Sequence, residues 1–457
     1  MSERTGPLGR AITCFKAYDV RGRVPGELDE NIAYRIARAW VDFIGARRVC
    51  MGRDVRPTSD GFADAVAEGL ADSGVEVHDL GLTGTEEVYF GTFHGDLDGG
   101  VMITASHNPP DYNGLKLVRE RAHPISADNG LVGIRGASER GVFKDGDTRG
   151  KRIEAFDKAA YIAHLLSYVD TDALKPLKLV VNPGNGCAGP IVERLEKSLP
   201  FEFVKMDFEP DGSFPNGVPN PMLEENRRAT SEAVRANSAD LGIAWDGDFD
   251  RCFFYDEDGN FVEGYYIVGL LAENFLAKSP GAKILHDPRL TWNTVDLVNA
   301  LGGKPVVSKS GHAFMKEKMR TADCIYGGEM SAHNYFKRFG YCDSGMIPWL
   351  LVAELVSRRG EPLSSMVAER AAKFPASGEI NREVADQKAA MVAAERRYKQ
   401  DALKVDHLDG LSMECERWRF NLRPSNTEPL LRLNVESRGD RRLMEGKTEE
   451  ILKLIEI

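Results

Sequence analysis

The sequence predicts α/β units arranged in tandem and closed by a smaller α+β domain. Three observations carry that expectation. At 457 residues the chain is too long for one hydrophobic core, given about 100–200 residues per domain. A helix, a breaker and a short apolar strand recur in that order three times along it, the pattern of α/β units with largely parallel strands. Beyond residue 380 the texture changes to a charged helix followed by β-like runs.

The repeats can be read directly. "FADAVAEGLADSGVEVHDLG" is an amphipathic helix, a break at Gly74 and a strand. "IVERLEKSLPFEFVKMD" repeats it with Pro200 at the break, and "TVDLVNALGGKPVVSKSG" with Gly302 and Gly303. The similarity is one of pattern, not of residue identity. Polar or glycine-containing seams fall at 139–152, 254–264 and 368–380. The expected domains are therefore 1–150, 151–256, 257–369 and 370–457. In the last, "AAMVAAERRYKQD" is the charged helix, and the strands surround "WRFNLRPSNTEPLLRLNVESRG".

Composition narrows the function. A net charge of −11 argues against nucleic acid or a membrane surface as partner, but leaves room for an anionic small molecule held by a local Arg/Lys cluster. The first residues contain no apolar core of signal-peptide length, and "MIPWLLVAELV" (346–356) is too short to span a bilayer and reads as a buried helix. Seven scattered cysteines without a C-x-x-C read as reduced core thiols. The expectation is a soluble cytoplasmic protein.

Four loops carry chemistry. In "WDGDFDRCFFY" the strand "LGIAW" leads into Asp246, Asp248 and Asp250, placed at a strand's carboxyl end where α/β folds put ligands. Their spacing suits a hard cation such as Mg²⁺, and Arg251 beside them suits a phosphate; a solvated acidic turn is the alternative. An EF-hand is excluded, because Arg251 stands where its loop needs Gly and "CFFY" returns straight to strand. In "RPSNTEPLLRL", Arg423, Ser425, Asn426 and Thr427 equip either a phosphate clamp or an Asx-type turn. In "YGGEMSAHNYF", Glu329, Ser331 and His333 alternate. On an extended loop they point the same way and can bind vicinal hydroxyls, or they are a plain surface loop. In "VMITASHNPPDYNGLKLV", Ser106 is a nucleophile or a turn residue, with His107 adjacent and Lys116 on a strand returning after an Asn113–Gly114 turn. The stretch lacks G-x-S-x-G, and the chain lacks a P-loop, so a serine hydrolase and a P-loop kinase are disfavoured.

Taken in order, "AYDVRG", "TASHNP…NGLK", "DGDFDR", "GEMSAH" and "RPSNTEP" resemble the α-D-phosphohexomutase superfamily, most closely its bacterial phosphomannomutase branch, which feeds GDP-mannose synthesis. The resemblance implies a four-domain, heart-shaped α/β protein. Three similar mixed α/β domains would precede a C-terminal TATA-binding-protein-like α+β domain, with one loop from each lining a central cleft. It implies an isomerase in which Ser106 is the phosphoserine and completes an Mg²⁺ shell with Asp246, Asp248 and Asp250. Arg251 would neutralise the phosphoryl group, Tyr18 and Arg21 would form the first active-site loop, and His107 and Lys116 would be the acid or base. Glu329 and Ser331 would hold sugar hydroxyls with His333 beside them, and Met330 would tolerate either orientation of the 2-hydroxyl. Arg423, Ser425, Asn426 and Thr427 would grip the non-reacting phosphate. His312 falls in a further cleft loop, and Arg289 stands where some relatives carry lysine. The implied ligands are hexose phosphates with a hexose 1,6-bisphosphate intermediate, handled by a monomer or homodimer. A phosphoglucomutase or dual-specificity enzyme, a metal-dependent phosphatase and a non-catalytic sugar-phosphate binder are the competing readings.

Overall fold

The helix Glu30–Ile44 begins and ends where the sequence supplies caps. Asp29 accepts from Ile32 N to start the helix Glu30–Ile44, and Gly45 ends it at φ 67°. Between them Ile32, Ile36, Ala33, Ala37 and Trp40 recur at helical spacing and are all buried. The structure is a computed structural model and describes residues 5–154, 158–424 and 430–456. By contacts it divides into two units: the chain up to Phe261 with Phe336–Arg359, and Val262–Tyr335 with Gly360–Ile457.

The first unit contains two sheets. In one, the strands run Val20–Arg23, Tyr112–Arg119, Gly99–Ile103, Arg48–Arg53, Glu76–Leu82 and Arg152–Glu154 across the sheet. Gly99–Ile103, Arg48–Arg53 and Glu76–Leu82 are mutually parallel, and Tyr112–Arg119 is antiparallel to its neighbours. Both faces are covered. Trp40, Phe62, Val66 and Leu70 pack with Val49, Met51 and Val101 on one face, and Val88 and Leu97 pack with Cys50 and Met102 on the other. In the second sheet, Leu241–Trp245 lies parallel to Lys178–Asn182 and antiparallel to Cys252–Tyr255. The loops of Ser106 and of the three aspartates thus leave the carboxyl ends of buried strands, one after Ile103 and one after Trp245.

The helix Met346–Arg359 is buried from Met346 to Ser357, as its apolar run predicts. Its first turn is held by Ser344 Oγ, which accepts from Ile347 N at 3.0 Å, and by the carboxylate of Glu86, which accepts from Gly345 N and Met346 N. All seven cysteines are buried.

The Asn113–Gly114 turn is a misreading. Both residues lie inside the strand Tyr112–Arg119, opposite Gly22 and Arg21. The reversal comes earlier, where Tyr112 N donates to Pro109 O at 3.0 Å. Pairing on both sides of the strand overrides the turn preference of the dipeptide. The Asn113 side chain is buried and donates to Thr58 and Ser59.

The second unit also has two sheets. Lys283–His286 is flanked in parallel by Lys304–Val307 and Tyr326–Gly328. The C-terminal sheet is antiparallel in the order Ile380–Glu383, Leu430–Ser437, Trp418–Pro424, Leu411–Glu414, Lys404–Asp406. The helices Gln387–Tyr398 and Arg441–Ile455 supply Tyr398, Met444 and Ile451 to its core beside Trp418 and Phe420. Glu436, fully buried on the strand Leu430–Ser437, accepts from Thr291 N at 2.7 Å, Arg419 Nη1 at 2.6 Å and the hydroxyl of Tyr265. It thereby joins the C-terminal sheet to the start of the helix Trp292–Ala300.

Removing one member of a buried, hydrogen-bonded charge pair strands the other. Glu436→Ala, which leaves Arg419 without its carboxylate, is expected to lower unfolding free energy by about 3–5 kcal/mol in urea melts. Glu436→Gln, which keeps an oxygen acceptor, is expected to lose less.

Candidate functional site

Ser106 occupies the loop after Ile103 in the left-handed region, at φ 52°, and is 2% exposed. Its Oγ donates to Asp246 Oδ2 at 2.7 Å and lies 2.9 Å from His107 Nδ1. Close approach of the two loops depends on Gly247. A Cβ there would stand 2.6 Å from the carbonyl oxygen of Ser106.

The carboxylates of Asp246, Asp248 and Asp250 are buried, and each offers an oxygen within 4.8 Å of the others. Asp248 Oδ1 is buried and accepts no hydrogen bond among the described residues, while Oδ2 receives Lys116 Nζ at 2.6 Å and the hydroxyl of Thr85. Lys116 Nζ also donates to Asp250 Oδ2 at 2.6 Å and to Thr85 Oγ1 at 3.3 Å. Lys116 therefore balances the aspartates and does not reach back to the serine as expected. A hard cation fits this donor set of clustered oxygens, one of them unpartnered.

Electrostatics follow from burial and crowding. Burial, with Asp250 and Asp248 adding to it, pushes the Asp246 carboxyl up to about 7. Burial works against the charge of Lys116, but Asp248 and Asp250 outweigh it and hold the lysine above its ordinary value. Burial, and then Arg251 and Arg21, push the His107 imidazole well below its own. Arg251 Nε lies 3.8 Å from Asp246 Oδ2 and 3.9 Å from Asp250 Oδ1. Arg21 donates to Asn108 Oδ1 and Asp19 Oδ2, each at 2.6 Å. Tyr18, half-buried, precedes the strand that carries Arg21.

The second unit gathers the remaining predicted residues around Arg289. This arginine is buried and donates to Asp287 Oδ2 at 2.9 Å, Ser331 Oγ at 3.3 Å and Glu379 Oε2 at 3.3 Å, with Glu329 Oε1 at 3.6 Å. Glu329 also accepts from Gly311 N at 2.8 Å and Tyr335 Oη at 2.6 Å, and lies 3.2 Å from His333 Nδ1. Residues 329–333 are not extended. Glu329 N donates to His333 O and Ala332 N to Glu329 O, a tight reversal made possible by Ala332 at φ 72°. Met330 is buried with Tyr265, Tyr266 and Leu290. His312 opens the helix His312–Ala322, its ring 6.4 Å from that of His333. Arg423 Nη2 lies 3.5 Å from Glu379 Oε2; Ser425, Asn426 and Thr427 lie outside the described residues.

The sequence reading missed Thr85 and Glu379. Thr85 N also donates to Asp248 O at 3.1 Å, so one residue holds that aspartate by backbone and side chain. Glu379 sits among Arg289, Arg423 and Arg432, which overcome burial and lower its pKa. Neither stands in a motif. The one sequence signal for Glu379 is an acid placed in a seam that precedes an arginine-bearing sheet.

Comparison with known proteins adds to this geometry. Models of the phosphoglucomutase/phosphomannomutase family match in chain order: α/β/α domain I over residues 13–136, domain II over 159–259, domain III over 263–374 and the C-terminal domain over 379–453. A phosphomannomutase of Salmonella montevideo is 58% identical over 451 residues, covering 97% of this chain and 99% of the relative. A protein of Xanthomonas campestris pv. campestris described as "Phosphohexose mutases" is 58% identical over 444 residues, with the same coverage. The crystal structure of a phosphoglucomutase/phosphomannomutase family protein from Burkholderia thailandensis superposes with a TM-score of 0.85 at 31% identity, covering 97% of both chains.

Glu329 gives a pH-dependent test. Burial raises its pKa, but His333, Arg289 and Tyr335 outweigh burial and hold it well below the ordinary 4.5. A lowered carboxyl pKa contributes stability in full above the unfolded value and loses it as pH falls toward the folded one. Glu329→Gln is expected to cost about 3 kcal/mol at neutral pH. In urea melts the difference from wild type should shrink as pH drops below 4.5; a difference that stays constant with pH contradicts the assignment.

Proposed function

Because this chain belongs to the phosphoglucomutase/phosphomannomutase family, and is an isomerase of the intramolecular phosphotransferase kind, we propose that it interconverts mannose 6-phosphate and mannose 1-phosphate. The observation that carries the reading is a buried serine hydroxyl 2.7 Å from a member of a buried three-aspartate group. Relatives described as phosphomannomutases at 56–58% identity support mannose as the sugar. The relative described as "Phosphohexose mutases" supports a second, broader reading in which glucose phosphates are also taken.

Ser106 carries the phosphoryl group. Its O–P bond breaks as a new P–O bond forms to the free hydroxyl of the hexose phosphate, giving mannose 1,6-bisphosphate. The other phosphate of that intermediate then returns to Ser106. The proton released by the attacking hydroxyl leaves through His107, Lys116 or His312, and the serine oxygen freed of phosphate takes up a proton from the same groups. Asp246, Asp248 and Asp250, with Ser106, would hold Mg²⁺, which would supply charge neutralisation at the phosphoryl oxygens. Arg251 and Arg21 add fixed positive charge to the serine side. Glu329, Ser331 and His333 bind sugar hydroxyls, oriented by Arg289, and Arg423, Ser425, Asn426 and Thr427 take the phosphate that is not transferred. The product would feed GDP-mannose synthesis in the cytoplasm.

Intact mass of purified protein tests the carrier. Wild type treated with hexose 1,6-bisphosphate should gain one phosphate, and Ser106→Ala should gain none and lose mutase activity by more than about 1000-fold. An unmodified, active Ser106→Ala protein would overturn the reading. On the same preparations, kcat/KM should favour mannose 1-phosphate or equal that for glucose 1-phosphate; a strong glucose preference sinks the mannose assignment alone.

A further inference from the structure

We infer that Arg56 is a positioning residue for phosphoryl transfer at Ser106, acting through the carbonyls of the serine loop and not on substrate. The inference rests on Ser106 as the phosphoryl carrier.

Arg56 follows the strand Arg48–Arg53, in a turn held by Asp54. Asp54 Oδ1 accepts from Arg56 N at 3.0 Å and Ser59 Oγ at 2.6 Å, and Oδ2 lies 3.3 Å from Arg56 Nε. The Arg56 side chain is completely buried. Its four terminal N–H groups meet four carbonyls of the serine loop and the first residue of the strand that follows it: Nη2 donates to Ser106 O at 2.9 Å and Asn108 O at 2.6 Å, and Nη1 to Pro109 O at 2.6 Å and Tyr112 O at 2.9 Å. Phe214 covers the guanidinium, 5.5 Å from ring centroid to Cζ.

The loop needs such a partner for two reasons. Pro109 and Pro110 bring no N–H, so converging carbonyls have no backbone donor from these residues to meet them, and buried acceptors without donors are costly. Ser106 holds a φ of 52° that a residue with a Cβ adopts at a cost of about 1–2 kcal/mol. Such a conformation persists only where its surroundings fix it. Arg56 fixes it directly, through the carbonyl of Ser106 itself. Because that peptide is planar and trans, drawing its oxygen toward Arg56 turns the N–H of His107 to the opposite side. The guanidinium thus sets the orientation of the peptide that joins Ser106 to His107. Lysine cannot replace it, since one ammonium offers three donors from a single point and cannot span four carbonyls.

The test uses the full chain with Arg56→Lys and Arg56→Ala. Four quantities are measured: the quenched-flow rate at which Ser106 gains phosphate from hexose 1,6-bisphosphate, read by intact mass; steady-state kcat; KM; and thermal stability. Arg56→Lys should lower both the phosphorylation rate and kcat by about 100-fold, as for a small misplacement of a reacting atom. KM for the sugar phosphate should stay within about twofold. Ethylguanidinium should restore part of the rate to Arg56→Ala and none to wild type. Rates equal to wild type in either variant overturn the inference. So does an Arg56→Lys protein that fails to fold, or one whose KM rises in step with the fall in kcat, because either makes the role purely structural. A wild-type protein that takes no phosphate on Ser106 sinks the function reading instead, and the two failures are told apart within one experiment.

Discussion

Three carboxylates buried within 4.8 Å of one another are the constraint around which the first unit is built. Burial disfavours the charged carboxylate, and the like charges of Asp250 and Asp248 add to it, which is why Asp246 is pushed up toward neutrality. Lys116 meets two of the three carboxylates and Arg251 approaches Asp246 and Asp250, so the protein supplies compensating charge from the strand Tyr112–Arg119 and from the end of the aspartate loop itself. Thr85 then fixes which oxygen of Asp248 is taken and which is left over. The serine hydroxyl is drawn into the same group through Asp246. Remove the concentration of negative charge and none of these placements has a reason.

The second unit solves the mirror problem with the opposite sign. Arg289, Arg423 and Arg432 converge, and Glu379 stands among them as a resident anion. Glu329 is anchored by Gly311 N, Tyr335 and His333, so its carboxylate is held rigid before any ligand arrives. The proposed sugar-phosphate site would gain from acceptors and cations whose geometry the fold already fixes.

Much of this was legible in the sequence where chemistry and local structure coincide. "LGIAWDGDFDRCFFY" displays a strand, an acidic loop and a returning strand within fifteen residues, and the structure has that order. The three helix–breaker–strand repeats became helices and strands because their hydrophobic period is local. Asn113–Gly114 deceived because tertiary pairing with Val20–Arg23, invisible locally, holds both residues in strand. The reversal at 329–333 depends on a left-handed alanine, a conformation no alanine advertises. Arg56 and Glu379 each act through partners far away in the chain, Pro109 and Tyr112 for the first and Arg289 for the second. A single sequence read along its length does not bring such partners together.

If the aspartate group and Ser106 form one cation site completed by a phosphoryl group, then cation affinity must depend on the state of the serine. Calorimetric titration of Mg²⁺ into the protein with and without phosphate on Ser106 measures that dependence. Two added negative charges among the ligands predict binding tighter by roughly tenfold or more in the phosphorylated form. Equal affinity in the two forms would separate the serine from the metal site and contradict the arrangement.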